Sequence, residues 1–270
     1  MEPTASFLCP AGFAGPRGPR PLLDERRSVV EARALFRDPV WHGEGVPDGG
    51  GRAVLLIPGF MAGDMSMTML GRWLTRVGYV PLRSQVRLNV DCSRATVDRL
   101  TRLVEVAAER GEQPVTLLGQ SLGGVFAKTV ALRRPDLVAG VVTLGSPLLA
   151  PAAAHPLLMA DVALLTRLGR AGVRNVMRED CVRGDCAQDS WLELQGPFPE
   201  RVPFVSVYSR TDGIVDWRAC LDAAARHVEV ASSHTGMAVN PQVYRALAEH
   251  LPAVAAGPAR SARQRRARAS

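Results

Sequence analysis

Val115-Thr116-Leu117-Leu118-Gly119-Gln120-Ser121-Leu122-Gly123-Gly124 is the stretch on which the reading of this chain turns. Its first four residues carry no charge and three are aliphatic, the pattern of a short buried strand. From Leu122 to Arg133 the pattern becomes helical, and Pro135 closes it. Ser121 therefore stands at the turn between a strand and a helix. Gly119-x-Ser121-x-Gly123 in that setting is the pattern of a nucleophile elbow, with glycines where side chains would clash across a tight turn. The motif alone is weak, and an ordinary glycine-rich turn is the bland alternative; the strand–turn–helix context gives it weight.

Outward from this stretch the same alternation recurs. Apolar strands are expected at 53–57, 79–83, 138–144, 204–208 and 228–231. Helices are expected at 22–37, 65–77, 93–110, 216–226 and 241–250. Continuous apolar strands separated by helices imply an α/β architecture, a mostly parallel central sheet with helices on both faces. The alternation lapses between 148 and 200, where only helical stretches such as 155–170 and a polar loop from Cys181 to Cys186 are visible. That insertion is expected as a helical cap over the strand ends. The chain thus divides into a disordered N-terminus (1–20), a helix and loop (21–50), a core in two parts (51–147 and 201–255) around the cap (148–200), and a disordered basic tail (256–270).

A serine hydroxyl needs a base, and the base needs an orienting group. Of five histidines, only His234, in Ser232-Ser233-His234-Thr235-Gly236, leaves the C-terminal end of a strand on the same sheet edge as Ser121. The orienting acid is expected at Asp212, four residues past Tyr208. Asp216 competes but reads as the N-cap of the helix that follows it. The oxyanion of acyl transfer requires two backbone N–H donors. Leu122, after the nucleophile, supplies one, and Phe60, in the turn Pro58-Gly59-Phe60-Met61, supplies the other. The segment 155–165 is apolar nearly all round, so it is expected to bury both faces, one against the core and one lining an acyl pocket. Leu158, Leu165 and Met61 are the candidate lining residues; that both faces simply pack on protein is the alternative.

Ile57-Pro58-Gly59-Phe60, Gly119-Gln120-Ser121-Leu122-Gly123, Ser209-Arg210-Thr211-Asp212-Gly213-Ile214-Val215 and Ser233-His234-Thr235-Gly236-Met237 together resemble the α/β-hydrolase superfamily, from about residue 50 to 252. Esterase/lipase-like members from high-GC actinobacteria look nearest. Glu31-Ala32-Arg33-Ala34-Leu35 and Arg87-Leu88-Asn89-Val90-Asp91-Cys92 are also similar to that group. The resemblance implies the α/β-hydrolase fold, a Ser121–Asp212–His234 triad, an oxyanion hole at Phe60 and Leu122, and no cofactor. Pro58 and Gln120 stand where many relatives have histidine.

Composition narrows the field. The 270 residues are 47% hydrophobic and 22% charged, ample for a sizeable core. No apolar run reaches the length of a membrane-spanning helix, and no secretory signal is expected, so a cytoplasmic location is the default. The net charge of +7 resides mostly in Arg260, Arg263, Arg265, Arg266 and Arg268; without them it is +2. A nucleic-acid partner is therefore not expected, whereas the tail offers a peripheral contact with anionic membranes. The five cysteines show no CxxC pair and no clustered histidine, so no metal site is assigned. Gly49-Gly50-Gly51 lacks the lysine of a phosphate loop. The expected function is hydrolysis of a carboxylic ester, a small molecule or acyl-lipid, through an acyl-enzyme. Acyl transfer or thioester hydrolysis on the same triad, and a non-catalytic binding protein on this fold, are the alternatives. Oligomeric state is left open.

Overall fold

Aliphatic strands in the middle of the sequence send alternate side chains into two separate apolar clusters, and this sets the architecture. The structure, a computed structural model, describes residues 4–257. Strands β1 (Ala53–Ile57), β2 (Val80–Arg83), β3 (Val115–Gln120), β4 (Val138–Leu144), β5 (Phe204–Tyr208) and β6 (Arg226–Glu229) form one sheet in the order β2-β1-β3-β4-β5-β6. Every pairing is parallel. Val54, Leu56 and Leu118 join a cluster with Trp73 and Tyr244, while Leu55, Ile57 and Leu117 join one with Leu100, Val104 and Phe126. Strand side chains alternate with a period of two, so apolar residues at consecutive positions require both faces to be covered. Helices α2 (Arg27–Arg37), α3 (Pro39–His42), α4 (Thr68–Arg76) and α10 (Pro241–Ala256) supply one layer. Helices α5 (Ser93–Gly111) and α6 (Leu122–Arg133) supply the other.

The strand order reverses direction between β1 and β3. Chain segments leaving the C-terminal ends of these two strands diverge to opposite sides, which opens a crevice there. Ile57 pairs with Gly119, so the Pro58–Phe60 turn and Ser121 emerge side by side at that crevice. The only lysine, Lys128, is buried on α6 and pairs with Asp222 at 2.6 Å, a charge matched where an unmatched one would be costly.

Several expectations are corrected. The first residues are not disordered where described. Residues 4–20 lie along the body, with a 3-10 turn at Ser6–Leu8, and are tied by Ala5 N–H to Val182 O (2.9 Å) and Ala152 N–H to Leu8 O (2.9 Å). Prolines and glycines prevented regular structure there without preventing docking. The single helix expected at 22–37 is two, α1 (Pro19–Asp24) and α2, with Glu25 and Arg26 between them. The helix expected at 216–226 is only a 3-10 turn at Trp217–Cys220, and Asp222 beyond it pairs with the buried Lys128. The last strand begins two residues earlier than apolarity indicated, since pairing with β5 sets its bounds at this sheet edge. Within 148–200 lie α7 (Pro156–Arg170), α8 (Asp180–Arg183) and α9 (Asp185–Leu194), so the expected Cys181–Cys186 loop is helical and broken only at Gly184. α9 packs Trp191 and Leu194 into the α5–α6 layer. Most of the basic tail lies outside the described residues.

Candidate active site

The turn from β3 into α6 is as tight as the chain allows. Ser121 has φ 53° and ψ −125°, a conformation L-residues adopt only under constraint and at a cost of order 1–3 kcal/mol. The constraint is packing: a Cβ on Gly119 would run into the Gly123 carbonyl, and one on Gly123 into the Ile57 carbonyl. Ser121 N–H is held by Leu144 O at 2.8 Å. The serine is 8% exposed and borders a cavity of ≈ 140 Å³.

Asp212 and His234 meet at the same sheet edge. His234 Nδ1 lies 2.6 Å from Asp212 Oδ2, and both residues are buried. Asp212 Oδ1 accepts the N–H groups of Ile214 (2.9 Å) and Val215 (2.8 Å), which leaves Oδ2 for the imidazole. Asp216 does what a cap does: it accepts Arg218 N–H at 3.1 Å, pairs with the Arg218 guanidinium, and receives Ala14 N–H at 3.0 Å. Gln120 Nε2 donates to His234 O at 3.1 Å, tying the histidine loop to the end of β3. His155 is occupied elsewhere, capping α7 through Leu157 N–H and bonding Gly18 O.

On the β1 side, a Cβ on Gly59 would lie 3.0 Å from that of Ser121, so this loop abuts the serine. Met61 N–H is taken by Asn89 O (3.0 Å) and Ala62 N–H by Gly59 O (3.2 Å). Phe60 and Leu122 N–H, by contrast, have no partner among the described residues. Asn89, 1% exposed, fastens the loop further by donating Nδ2–H to Pro58 O at 2.9 Å.

Two carboxylates to which the sequence assigned no role brace the histidine loop. Glu25, 8% exposed, accepts Gly213 N–H (2.9 Å) and His234 N–H (3.0 Å) on Oε1, and Thr235 N–H (2.8 Å) and hydroxyl (2.9 Å) on Oε2. It thereby joins the segment bearing Asp212 to the segment bearing His234. Glu31 accepts Ser233 N–H (2.8 Å) and its hydroxyl (2.8 Å). Nothing local marks Glu25, since a carboxylate inside the helix expected at 22–37, between Asp24 and Arg26, reads as solvated. Burial favours the neutral imidazole of His234, but the charge and hydrogen bond of Asp212, joined by the charge of Glu25, outweigh it and raise its pKa.

The cavity wall is largely apolar. Phe60, Leu122, Leu158, Met159 and Val162 line it beside Ser121, and Leu8 of the N-terminal segment joins them. Two expected liners are not there. Met61 is 47% exposed at φ 56° and is not among the residues that line the cavity with Phe60. Leu165 packs beside Val162, Met177 and Val182, one turn beyond the opening. Nor does α7 bury both faces: Leu157, Leu164 and Leu168 are exposed.

Scanned against family profiles the sequence matches none, and no curated protein matches it. Its backbone does match solved structures. A mature lipase of Bacillus licheniformis superposes with a TM-score of 0.56 at 10% identity, covering 77% of this chain and 94% of that one. A monoacylglycerol lipase of Paleococcus ferrophilus gives 0.54 at 18% identity, with 77% and 97% covered. A soluble variant of the monoglyceride lipase of Saccharomyces cerevisiae gives 0.52 at 13%, with 77% and 87% covered. With its parallel six-stranded sheet and flanking helices, this chain has the α/β-hydrolase fold that these three lipases share.

Proposed function

We propose that this protein hydrolyses carboxylic esters through a seryl acyl-enzyme, with Ser121, His234 and Asp212 as triad. The observation that carries the reading is the constrained Ser121 turn opening on an apolar cavity, with a buried Asp212–His234 pair at the same sheet edge. The lipase and monoglyceride lipase names of the structural neighbours agree with it.

In this mechanism His234 Nδ1–H donates to Asp212 Oδ2, which leaves Nε2 as the base that takes the Ser121 proton. The Ser121 oxygen attacks the ester carbonyl. The Phe60 and Leu122 N–H groups donate to the oxygen that becomes negative, at the N-terminus of α6 where the helix dipole adds to them. His234 returns the proton to the leaving alcohol and then activates the water that releases the acid. Asp212 Oδ2 orients the imidazole and faces the positive charge it develops, while Oδ1 is held by the Ile214 and Val215 amides. The acyl chain lies among Leu158, Met159 and Val162, which makes acyl-bearing esters the substrate class.

A fluorophosphonate probe tests the reading directly. Stoichiometric labelling of the native protein at Ser121, with turnover of p-nitrophenyl esters, is the expected result. No labelling and no turnover of any acyl length would reduce the protein to a binding module on this fold. The alternative of acyl transfer is separated by the partition of the acyl-enzyme between water and added alcohols.

A further inference from the structure

Beside the cavity, but outside the serine site, three cysteines converge. Cys92, Cys181 and Cys186 bring their sulfurs within 4.8 Å of one another, with Cys92 Sγ and Cys186 Sγ 3.5 Å apart. Their origins differ. Cys92 is the N-cap of α5 in the core, Cys181 lies on α8 and Cys186 in the first turn of α9. All three residues are half-buried.

We propose that Cys92, Cys181 and Cys186 form a three-thiolate site for one zinc-class metal ion, which fastens the helical insertion to the core beside the cavity.

The geometry suits a metal. Zinc–sulfur bonds of about 2.3 Å arranged tetrahedrally place sulfurs roughly 3.8 Å apart, close to the 3.5 Å between Cys92 and Cys186 and inside the 4.8 Å that bounds all three sulfurs. A disulfide joins only two sulfurs, at about 2.05 Å, and leaves the third without a role. Soft thiolate ligands select zinc or monovalent copper over hard cations. Three protein ligands leave a fourth position for water.

The surroundings suit thiolates as well. Cys92 stands at the N-cap of α5, and Arg178 N–H points to Cys181 Sγ at 3.5 Å. Such N–H···S contacts orient ligating sulfurs. Three thiolates and a divalent ion leave one negative charge, and the Arg94 guanidinium lies within Coulomb reach of Cys92 and Cys186. Asp189 holds that guanidinium in place.

The position gives the ion its consequence. Cys181 and its neighbour Val182 line the cavity with Ser121, and Val182 O accepts Ala5 N–H from the N-terminal segment. An ion shared by α5, α8 and α9 would hold that wall at a fixed distance from the core.

The test uses the full-length protein, reduced and then loaded with Zn²⁺, with unbound metal removed before elemental analysis. About one zinc per chain is expected, and Cys92→Ser and Cys186→Ser should each weaken binding at least tenfold. Titration of the native protein with Cd²⁺ should give a thiolate-to-cadmium charge-transfer band that saturates at one equivalent and is lost in Cys92→Ser. Zinc should also raise the Tm of the native protein and leave that of Cys92→Ser unmoved. Failure of the reduced native protein to hold stoichiometric zinc would overturn the proposal, as would full zinc retention by a Cys92→Ser/Cys186→Ser double variant. Recovery of a Cys92 disulfide to either partner, from a protein that binds no zinc when reduced, would replace the metal site with a redox bridge. These readouts need no esterase activity, so they stand or fall separately from the serine mechanism.

Discussion

The floor and the roof of the cavity are built on different principles. The floor is the β3–α6 turn, where backbone packs on backbone, every residue of β3 is buried, and Ser121 is held at a left-handed φ by its glycine neighbours. The roof is α7, whose Leu158 and Val162 turn inward while Leu157, Leu164 and Leu168 stay exposed along one face. Backbone geometry is over-determined and tolerates little change, whereas a half-exposed helix can exchange side chains at modest cost. Chemistry is thus expected to depend on the floor and substrate preference on the roof.

The largest effect should come from the floor. Ser121→Ala is expected to lower kcat on the order of 10⁶-fold with unchanged Tm, since only a hydroxyl is removed. Stopped assays with a p-nitrophenyl ester and a fluorophosphonate label check this together; persistent labelling would place the nucleophile elsewhere.

Asp212→Asn should follow, at about 10⁴-fold in kcat, because the amide presents the wrong donor pattern to His234 Nδ1. A loss below tenfold would mean another acid orients the histidine.

The roof is tested by Leu158→Asp across an acyl-length series. Each buried methylene contributes about 0.8 kcal/mol, or about fourfold in kcat/KM, as long as the wall is apolar. The variant should flatten that rise while acetate-ester turnover persists. An unchanged slope would remove α7 from the acyl site and break the division between floor and roof.

Glu25→Gln lies between the two in character. Glu25 raises the pKa of His234, and the base must be neutral to act, so its loss should move the acidic limb of kcat/KM to lower pH. The same linkage has a stability side. A histidine whose folded pKa is raised contributes stability that is complete below its unfolded pKa and disappears as pH rises through the folded value. The variant should therefore lose part of that increment in mildly acidic solution, read as a smaller Tm gain between pH 8 and pH 6. An unmoved limb with reduced Tm would assign Glu25 a purely structural role.

Smallest should be Asp216→Ala. It removes a cap and the anchor of Ala14 N–H, at about 1 kcal/mol of stability, with near-normal kcat. Asp216 is held below the ordinary carboxylate range; burial works against this, but the Arg218 pair and the Ala14 amide prevail. Its stabilising share is present above the unfolded carboxylate pKa and fades as pH falls through the lowered one.

Legibility followed the range of the interaction involved. Ser121 was readable because strand, turn and helix are consecutive, and glycines two residues either side report the tightness of the turn. That Asp212 and His234 share one edge was readable because Asp212 follows the apolar β5 and His234 the next expected strand, and parallel strands deliver their C-terminal ends to one edge. Glu25, Glu31 and Asn89 were not, although they touch the same loops. Each is a polar residue that no local pattern marks out, and its partner lies on a segment far away in the chain. Leu165 failed for a related reason, since helical apolarity does not say which apolar face turns to the cavity.

Local periodicity and turn chemistry, properties of a few neighbouring residues, were enough to establish a parallel sheet with helices on both faces and a serine at its switch point. Strand order, the docking of residues 4–20, the Glu25 brace and the meeting of Cys92 with Cys181 and Cys186 were decided only by folding. Each of these depends on side chains from distant segments reaching within a few ångströms, a distance that chain connectivity leaves free and that only the packing of the two layers on the sheet fixes.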